Sequence, residues 1–407
     1  MTSKASGFAD VPIPFNVPSE LVIDFDYFHP PQIDQGDVYS AWKRLHEGPD
    51  IVWTPHNGGH WIFTRAADIK WVQENFQIFS HEEFSIPRVT NKIVMPPLTV
   101  DPPLHSRFRA VLNPYFWPSK VHEMAEKARA LTIGLIEALK GRESCEFVSE
   151  FARVMPVTVF LGIVDLPLDR RQDFVEWASN YIGAADPRVR QIYLKKMSDY
   201  LAEVLKERSA NPGHDLLSRI AAWRQNARYG GEHEVFGMAM LIFLGGLDTV
   251  ANILSFTVRH LAQHPEQRRR LIDEPEIIPQ AAEELLRRFG LSNTGRLVKE
   301  ATDYKGVHFA QHDMVMVPIS LSSMDDRLYQ DPLTVDFGRN APFHNTFGNG
   351  PHKCVGAPLA RAELKIFLEE WARRMPEFCI DSNNPPITHS GPVNGVSRLN
   401  LLFSAQS

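Results

Sequence analysis

Cysteine is almost missing from this chain: 407 residues carry Cys145, Cys354 and Cys379 and no others. So small and odd a number builds no disulfide framework and suits a reducing compartment. A basic surplus is missing too, because 43 Lys and Arg face 49 Asp and Glu, a net charge of -6. That argues against a nucleic-acid partner held by bulk charge and leaves room only for a local basic patch. Apolar runs are short. The strongest, MAMLIFLGGL from 238 to 247, covers about half of the ~20 residues a bilayer span needs and runs straight into Asp248. The opening MTSKASGFADVPIPF lacks the basic, apolar and small-residue succession of a secretory signal. The expectation is a cytoplasmic protein with no membrane segment. No G-x-G-x-x-G follows a strand pattern, and no flavin-binding or P-loop pattern occurs, so the chain does not itself collect electrons from a nicotinamide. Internal repeats, low-complexity tracts and Gly/Ser linkers are absent as well, which predicts a single domain over residues 1–407.

What is present has an ordinary globular composition, 43% hydrophobic and 23% charged. IVWTPHNGGHWIFT at 51–64 sets two β-rich aromatic runs around an Asn-Gly-Gly turn, a hairpin signal. Amphipathic periodicity predicts helices near 119–141, 148–163, 168–182 and 190–209, broken at Pro167, Pro187 and Pro212. From 233 to 264 there is no proline, which predicts one continuous helix of about 45 Å at ~1.5 Å per residue, ended by Pro265. Shorter helices are expected at 277–289 and 358–374, with β-rich pieces at 295–299, 314–318 and 398–403. The fold class is mainly α with small β regions.

The chemistry centres on FGNGPHKCVG, residues 347–356, where one cysteine sits among glycine, asparagine, proline and histidine. Structural zinc takes four ligands in close-spaced pairs, whereas only His344 and His352 lie near Cys354 and neither CxxC nor HxxxH occurs in that loop. A nucleophilic cysteine needs an activating base, for which His352 is the one candidate. A thiolate serving as the single protein ligand to haem iron gives the glycines a use. They let backbone N–H groups approach sulfur and tune the metal, beside the positive end of the helix that starts near Pro358. Cys145 and Cys379 read as small buried hydrophobes.

The pattern Phe347-x-x-Gly350-x-His352-x-Cys354-x-Gly356 resembles the haem-binding signature of the cytochrome P-450 family, and further family motifs stand in order along nearly the whole chain. The resemblance implies a long central helix across the haem and haem b (iron protoporphyrin IX) bound through Cys354. Its activity would insert one oxygen atom of O2 into a C–H bond, with electrons from a two-iron ferredoxin and its reductase. Gly245-Gly246-Leu247-Asp248-Thr249 resembles the family's distal motif. The missing side chains make room for O2, and the Asp248–Thr249 pair relays protons. Two such glycines cost a helix about 1 kcal/mol each relative to alanine, so the motif wants a reason. Glu284-x-x-Arg287 resembles a structural pair of the family. Taken alone, such an i,i+3 pair is a solvated contact worth ~0.2 to 0.5 kcal/mol. His105, Arg109, Arg296 and His352 match positions that hold the haem carboxylates, a role for which Arg is suited by its fork of donors. Arg107, Arg109, Lys353 and Arg361 form a candidate docking patch for the electron donor.

LVIDFDYFHP, NGGHWIFTR, FLGGLDTVANILSF, EELLRRFGL and HSGPVNGV resemble the camphor hydroxylase branch. That branch holds its ketone substrate with a tyrosine ahead of DPP. Here Ile93 takes its place and no Tyr occurs between 81 and 100, so camphor itself is not the expected substrate. Ile93, Met95, Leu241, Leu244, Pro392 and Val393 map to the substrate pocket and are mostly aliphatic, with Ser292 and Thr294 adding small polar groups. A terpenoid or norisoprenoid, an ionone-like ketone, fits such a lining. Two other classes share the proximal loop. A peroxide-driven peroxygenase typically lacks the acid–alcohol pair, and a haem-based ligand-binding or sensor protein needs no proton relay, so Asp248 and Thr249 favour the monooxygenase.

Overall fold

The computed structural model describes residues 11–31, 37–89, 92–183, 186–223, 231–340 and 343–403. The hairpin forms where the aromatic runs place it. Strand β1 (Ile51–Thr54) pairs antiparallel with β2 (His60–Phe63), with Ile51 opposite Phe63 and Thr54 opposite His60. All eight residues are buried, as continuous apolar runs require of strands covered on both faces. Asn57, Gly58 and Gly59 turn the chain with positive φ. The hairpin is one edge of a five-stranded sheet completed by β3 (Phe79–Ser80), β4 (Asn293–Val298) and β5 (Met314–Pro318), in spatial order β1-β2-β5-β4-β3. Strand β5 runs parallel to β2 and antiparallel to β4.

The helices that position the site are α1 (Ala66–Glu74), α2 (Leu104–Leu112), α3 (Pro118–Glu137), α4 (Val154–Val164), α5 (Glu232–Gly245), α6 (Thr249–Gln263), α7 (Ile278–Arg288) and α8 (Ala357–Arg374). The expected segments at 119–141, 277–289 and 358–374 are α3, α7 and α8 within a few residues. The segment at 148–163 is a π-helical turn, Val148–Ala152, running into α4. Pro187 opens the helix Pro187–Ala210 as its first residue, a position that loses no hydrogen bond to proline. The expected strands at 295–299, 314–318 and 398–403 appear as β4, β5 and Asn400–Phe403.

One expectation needs correction: 233–264 is not a single helix. It breaks between Gly245 and Thr249, and Asp248 stands outside helical geometry at φ −124°, ψ −33°. Tertiary packing holds the two halves end to end where the lack of proline had suggested continuity. Among the described residues, 232–263 is also the one stretch long and apolar enough to cross a bilayer, and most of it is buried in the protein's own interior, as a core helix is. Helices α1 and α2, Leu216–Trp223 and Pro265–Asp273 were not among the expected segments.

Two apolar clusters fill the interior. One joins the main sheet to α6, α7 and α8 around Trp42, Trp61, Phe147, Phe151 and Trp371. The other joins α2, α4, α5 and the helices between them around Phe108, Leu161, Phe174 and Met238. Leu359 of α8, five residues past Cys354, packs against both.

Candidate active site

The loop 343–356 is built by backbone turns. Gly348 N–H donates to Asn345 O at 2.8 Å, Lys353 N–H to Gly350 O at 3.2 Å and Cys354 N–H to Phe347 O at 2.9 Å. Gly350 has φ +67°, and a Cβ there would lie 2.5 Å from Gln73 O at the end of α1. Glycine is therefore fixed by the approach of α1, and the sulfur contact falls elsewhere. The N–H groups of Gly356 and Ala357, at the start of α8, donate to the Cys354 sulfur. Gly356 itself has an ordinary φ of −79°. Cys354 keeps accessible surface while lying deep enough that burial pushes its thiol up; the two N–H groups and the Arg109 and Arg361 guanidiniums pull it back down. Cys145 is buried and its thiol is pushed up to about 12 by burial, as an inert core residue should be. Cys379 is exposed on the strand Phe378–Ile380. It is no core hydrophobe, because strand alternation turns its side chain outward.

The expected carboxylate-binding residues converge. From α2, His105 is buried and Arg109 donates to Lys353 O at 2.7 Å and to Asn113 Oδ1 at 3.1 Å. His352 packs on His105 with ring centroids 4.4 Å apart, and its Nε2 lies 3.6 Å from Asp101 Oδ1. Arg296, on β4, is buried and donates to Gly295 O at 2.6 Å and to Thr294 Oγ1 at 3.1 Å. Among the described residues it has no carboxylate within 4 Å. Burial holds its guanidinium down to about 9, against the opposing field of Asp101. Burial likewise holds His105 down to about 4. The sequence reading missed two members of this group. Asp101 accepts from Ser80 Oγ at 2.5 Å and from His81 N–H at 3.1 Å, and the His81 ring stacks on His352 at 3.9 Å. Asp101 opens the quoted DPP, so its place was readable; His81 carried no signal.

On the other side, the break between α5 and α6 presents the distal motif. Gly245 and Thr249 are exposed in the middle of otherwise buried helices. Thr249 Oγ1 donates to Gly245 O at 3.5 Å, the back-bonding that opens a helix. The two glycines serve different ends, which revises the expectation that both make room. A Cβ at Gly245 would meet no atom within 4 Å, whereas one at Gly246 would meet the Phe160 ring at 2.3 Å. Only Gly245 leaves space; Gly246 lets α4 pack close. Burial pushes the Asp248 carboxyl up, with Arg153, His389 and the Asn252 amide opposing. Asn252 Nδ2 donates to Asp248 Oδ2 at 2.8 Å and to Asp248 O at 3.1 Å, and Asn252 Oδ1 accepts from Val396 N–H at 3.1 Å.

Ile93, Met95, Leu241 and Leu244 meet in the second apolar cluster. Close approach makes this possible, since a Cβ at Gly237 on α5 would stand 1.9 Å from Val94 O. Ser292, Thr294, Pro392 and Val393 form another group: Ser292 bridges to Val393 and Asn293 N–H donates to Pro392 O at 2.9 Å. The Thr294 hydroxyl accepts from Arg296, while Pro392 is exposed.

Glu284 and Arg287 are not a solvated pair. Both are buried, joined at 2.7 and 2.8 Å. Arg287 also donates to the carbonyls of Ser323, Pro332 and Thr334, and Glu284 accepts from Arg339 and from Asp336 N–H. The expected docking patch is thinner than its sequence. Arg361 is bidentate to Glu283, at 2.7 and 3.1 Å, and lies over the Phe347 ring. With Arg109 turned toward Lys353 O, Arg107 and Lys353 are its exposed members.

A haem-thiolate oxidoreductase is the class that this loop, cation cluster and broken helix define. The family model described as Cytochrome P450 matches residues 169–393. A relative named probable cytochrome P450 127A1, from Sinorhizobium fredii, is 33% identical over 404 residues, 97% of each chain. Linalool 8-monooxygenase from Pseudomonas putida is 25% identical, covering 92% of this chain and 98% of its own. Among solved structures, CYP101C1 superposes with a TM-score of 0.88 at 35% identity and CYP101J2 with 0.87 at 34%, each over 97% of this chain and all of the other. The chain belongs to the cytochrome P450 family, on the side of its camphor-like branch, and is an enzyme of that family acting with haem b, O2, a substrate and redox partners. The residues present fit haem: a cysteine whose sulfur receives two backbone N–H groups, and, beside the buried Arg296, ring nitrogens of His81 and His352 that have no hydrogen-bond partner among the described residues.

Proposed function

We propose that this enzyme is a ferredoxin-dependent monooxygenase that hydroxylates a small apolar terpenoid or norisoprenoid, an ionone-like ketone. Cys354 would be the metal ligand, with Phe347, Gly350 and Gly356 shaping its loop. His105, Arg109, Arg296 and His352 would hold the haem carboxylates. Bound there, haem supplies the reduction of O2 and the oxidation of the C–H bond. The remaining work falls to the chain's own residues. Asp248, half out of the helix and held by Asn252, passes a proton inward, and the Thr249 hydroxyl presents it where Gly245 leaves space. Ile93, Met95, Leu241, Leu244, Pro392 and Val393 exclude water and bind by apolar area, while Ser292 and Thr294 orient a polar group.

The observation that carries this reading is the helix break that exposes Thr249 beside the open side of Gly245. The aliphatic lining and the linalool-oxidising relative support the substrate class. The absence of a nucleotide fingerprint and the exposed Arg107 and Lys353 support a separate acidic donor, and the buried character of 232–263 supports a cytoplasmic enzyme.

Turnover with ferredoxin, reductase and NADH is set against turnover with peroxide alone. Efficient peroxide use without ferredoxin dependence overturns the assignment. A panel of monoterpenes and norisoprenoids is scored by the haem spectrum, and silence from every one removes the substrate class. Thr249→Ala separates electron use from product formation if the relay operates.

A further inference from the structure

In the buried cluster on the haem-carboxylate side, the His81 side chain is satisfied by nothing among the described residues. His81 is 4% exposed, and neither its Nδ1 nor its Nε2 has a hydrogen-bond partner among the described residues. Leaving a buried polar group unmatched is costly, and natural proteins do so rarely without a reason. The ring is fixed in place. The ladder that pairs Phe79 with Val298 and Ser80 with Leu297, continued by one residue, sets His81 across from Arg296. Its backbone N–H is tied to Asp101 at 3.1 Å, and its ring stacks on His352 at 3.9 Å with 29° between planes.

The surroundings say what would satisfy it. His105, His352, Arg296 and His81 bring donors together, and Asp101 is the acid among them. The Asp101 carboxylate already accepts from Ser80 and from the His81 backbone, and Lys299 Nζ lies 3.7 Å from it. Among the described residues His352 Nε2, 3.6 Å from Asp101, likewise has no partner at hydrogen-bond distance. The donor surplus therefore needs an anion from outside the protein. A metal cation does not answer it: no three His, Cys, Asp or Glu side chains among the described residues are arranged to hold one. Burial keeps the His81 ring neutral, and a neutral imidazole has one N–H to give.

We propose that His81 is a further haem-carboxylate donor of this enzyme, placed by β3 on the layer of His352 and Arg296, and that it contributes to haem retention. The proposal rests on the haem reading above and extends it to a residue outside the four positions that the family resemblance supplied.

The test uses the full holoprotein. His81→Phe keeps a ring to stack on His352 and removes both nitrogens; His81→Gln keeps an N–H donor. Haem transfer to excess apomyoglobin is followed for each, together with the melting temperature of the haem-free chain. The expected result is haem loss faster by about tenfold in His81→Phe, the equivalent of ~1.4 kcal/mol, with substantial recovery in His81→Gln. The haem-free chain should melt no lower, because an unmatched buried imidazole has been removed. A second measurement reconstitutes wild type and His81→Phe with haem dimethyl ester, where the difference should vanish. Equal loss rates for His81→Phe and wild type overturn the proposal. So does a parallel fall in haem-free stability with the same difference for the ester, which marks a packing role. A colourless wild-type chain would instead remove the haem reading on which the proposal stands.

Discussion

Asn252 and Asp248 form a clamp across the break between α5 and α6. One turn into α6, the Asn252 amide donates at 2.8 Å to the carboxylate that the break has released, while its oxygen takes Val396 N–H from the strand Gly395–Arg398. The clamp needs the strand close by: a Cβ at Gly395 would lie 2.5 Å from Asn252 Oδ1. Asn252→Ala strands a buried carboxylate and a buried N–H, and a loss of about 1 to 3 kcal/mol is expected on thermal unfolding. Because the amide is one of the groups holding the Asp248 carboxyl down against burial, its removal raises that pKa further. The pH profile of product formed per electron consumed should move to higher pH. An unmoved profile would mean that Asp248 is not the titrating group.

The two glycines of the distal motif should answer differently to the same methyl group. Gly246→Ala drives a Cβ into Phe160, a ring only 6% exposed, and should cost about 1 to 3 kcal/mol as overpacking. Gly245→Ala meets nothing, so the helix gains up to ~1 kcal/mol while the space beside Thr249 shrinks. Melting curves and turnover of the pair should diverge, Gly245→Ala being more stable and slower.

Glu363, inside α8, is buried with no hydrogen bond among the described residues, and burial pushes its carboxyl up to about 8. The folded chain thus binds this proton more tightly than the unfolded one. Stability from this group is full below the unfolded value of 4.5 and is lost as pH rises toward 8, by at most ~1.4 kcal/mol per pH unit. Glu363→Gln does not titrate. Denaturant melts should find the variant gaining on wild type between pH 5 and 8, about level at the acid end; a constant offset across that range would contradict the assignment.

Breaking the Glu284–Arg287 network should be far more damaging than its i,i+3 spacing suggests. Glu284→Ala leaves Arg287, 1% exposed by its side chain, with a buried charge and no counterion, a loss of about 3 to 5 kcal/mol. Joint replacement by Glu284→Gln and Arg287→Met is expected to recover part of it. Calorimetry of the single and double variants gives the comparison.

The sequence by itself determined the parts whose requirements are local. The thiolate loop was legible because a lone cysteine just ahead of a helix start can receive backbone N–H groups of the first turn, here those of Gly356 and Ala357. The hairpin was legible because two runs of four buried positions demand apolar, aromatic residues on either side of a left-handed turn. The helix boundaries near prolines followed from a missing N–H. Family membership came from the same local motifs standing in order.

Tertiary structure decided everything that depends on which distant groups are brought together. The absence of proline between 233 and 264 could not foretell a break, because the break is stabilised by Asn252 gripping a strand some 140 residues on. An acid and a base three residues apart read as a surface pair; backbone carbonyls from 323 to 334 turned them into a buried centre. His81 looked like any polar residue after a strand until the sheet register set it against Arg296 and the loop laid His352 on its ring. Local stereochemistry is written into short stretches of sequence, whereas desolvation and electrostatic coupling belong to the packed whole.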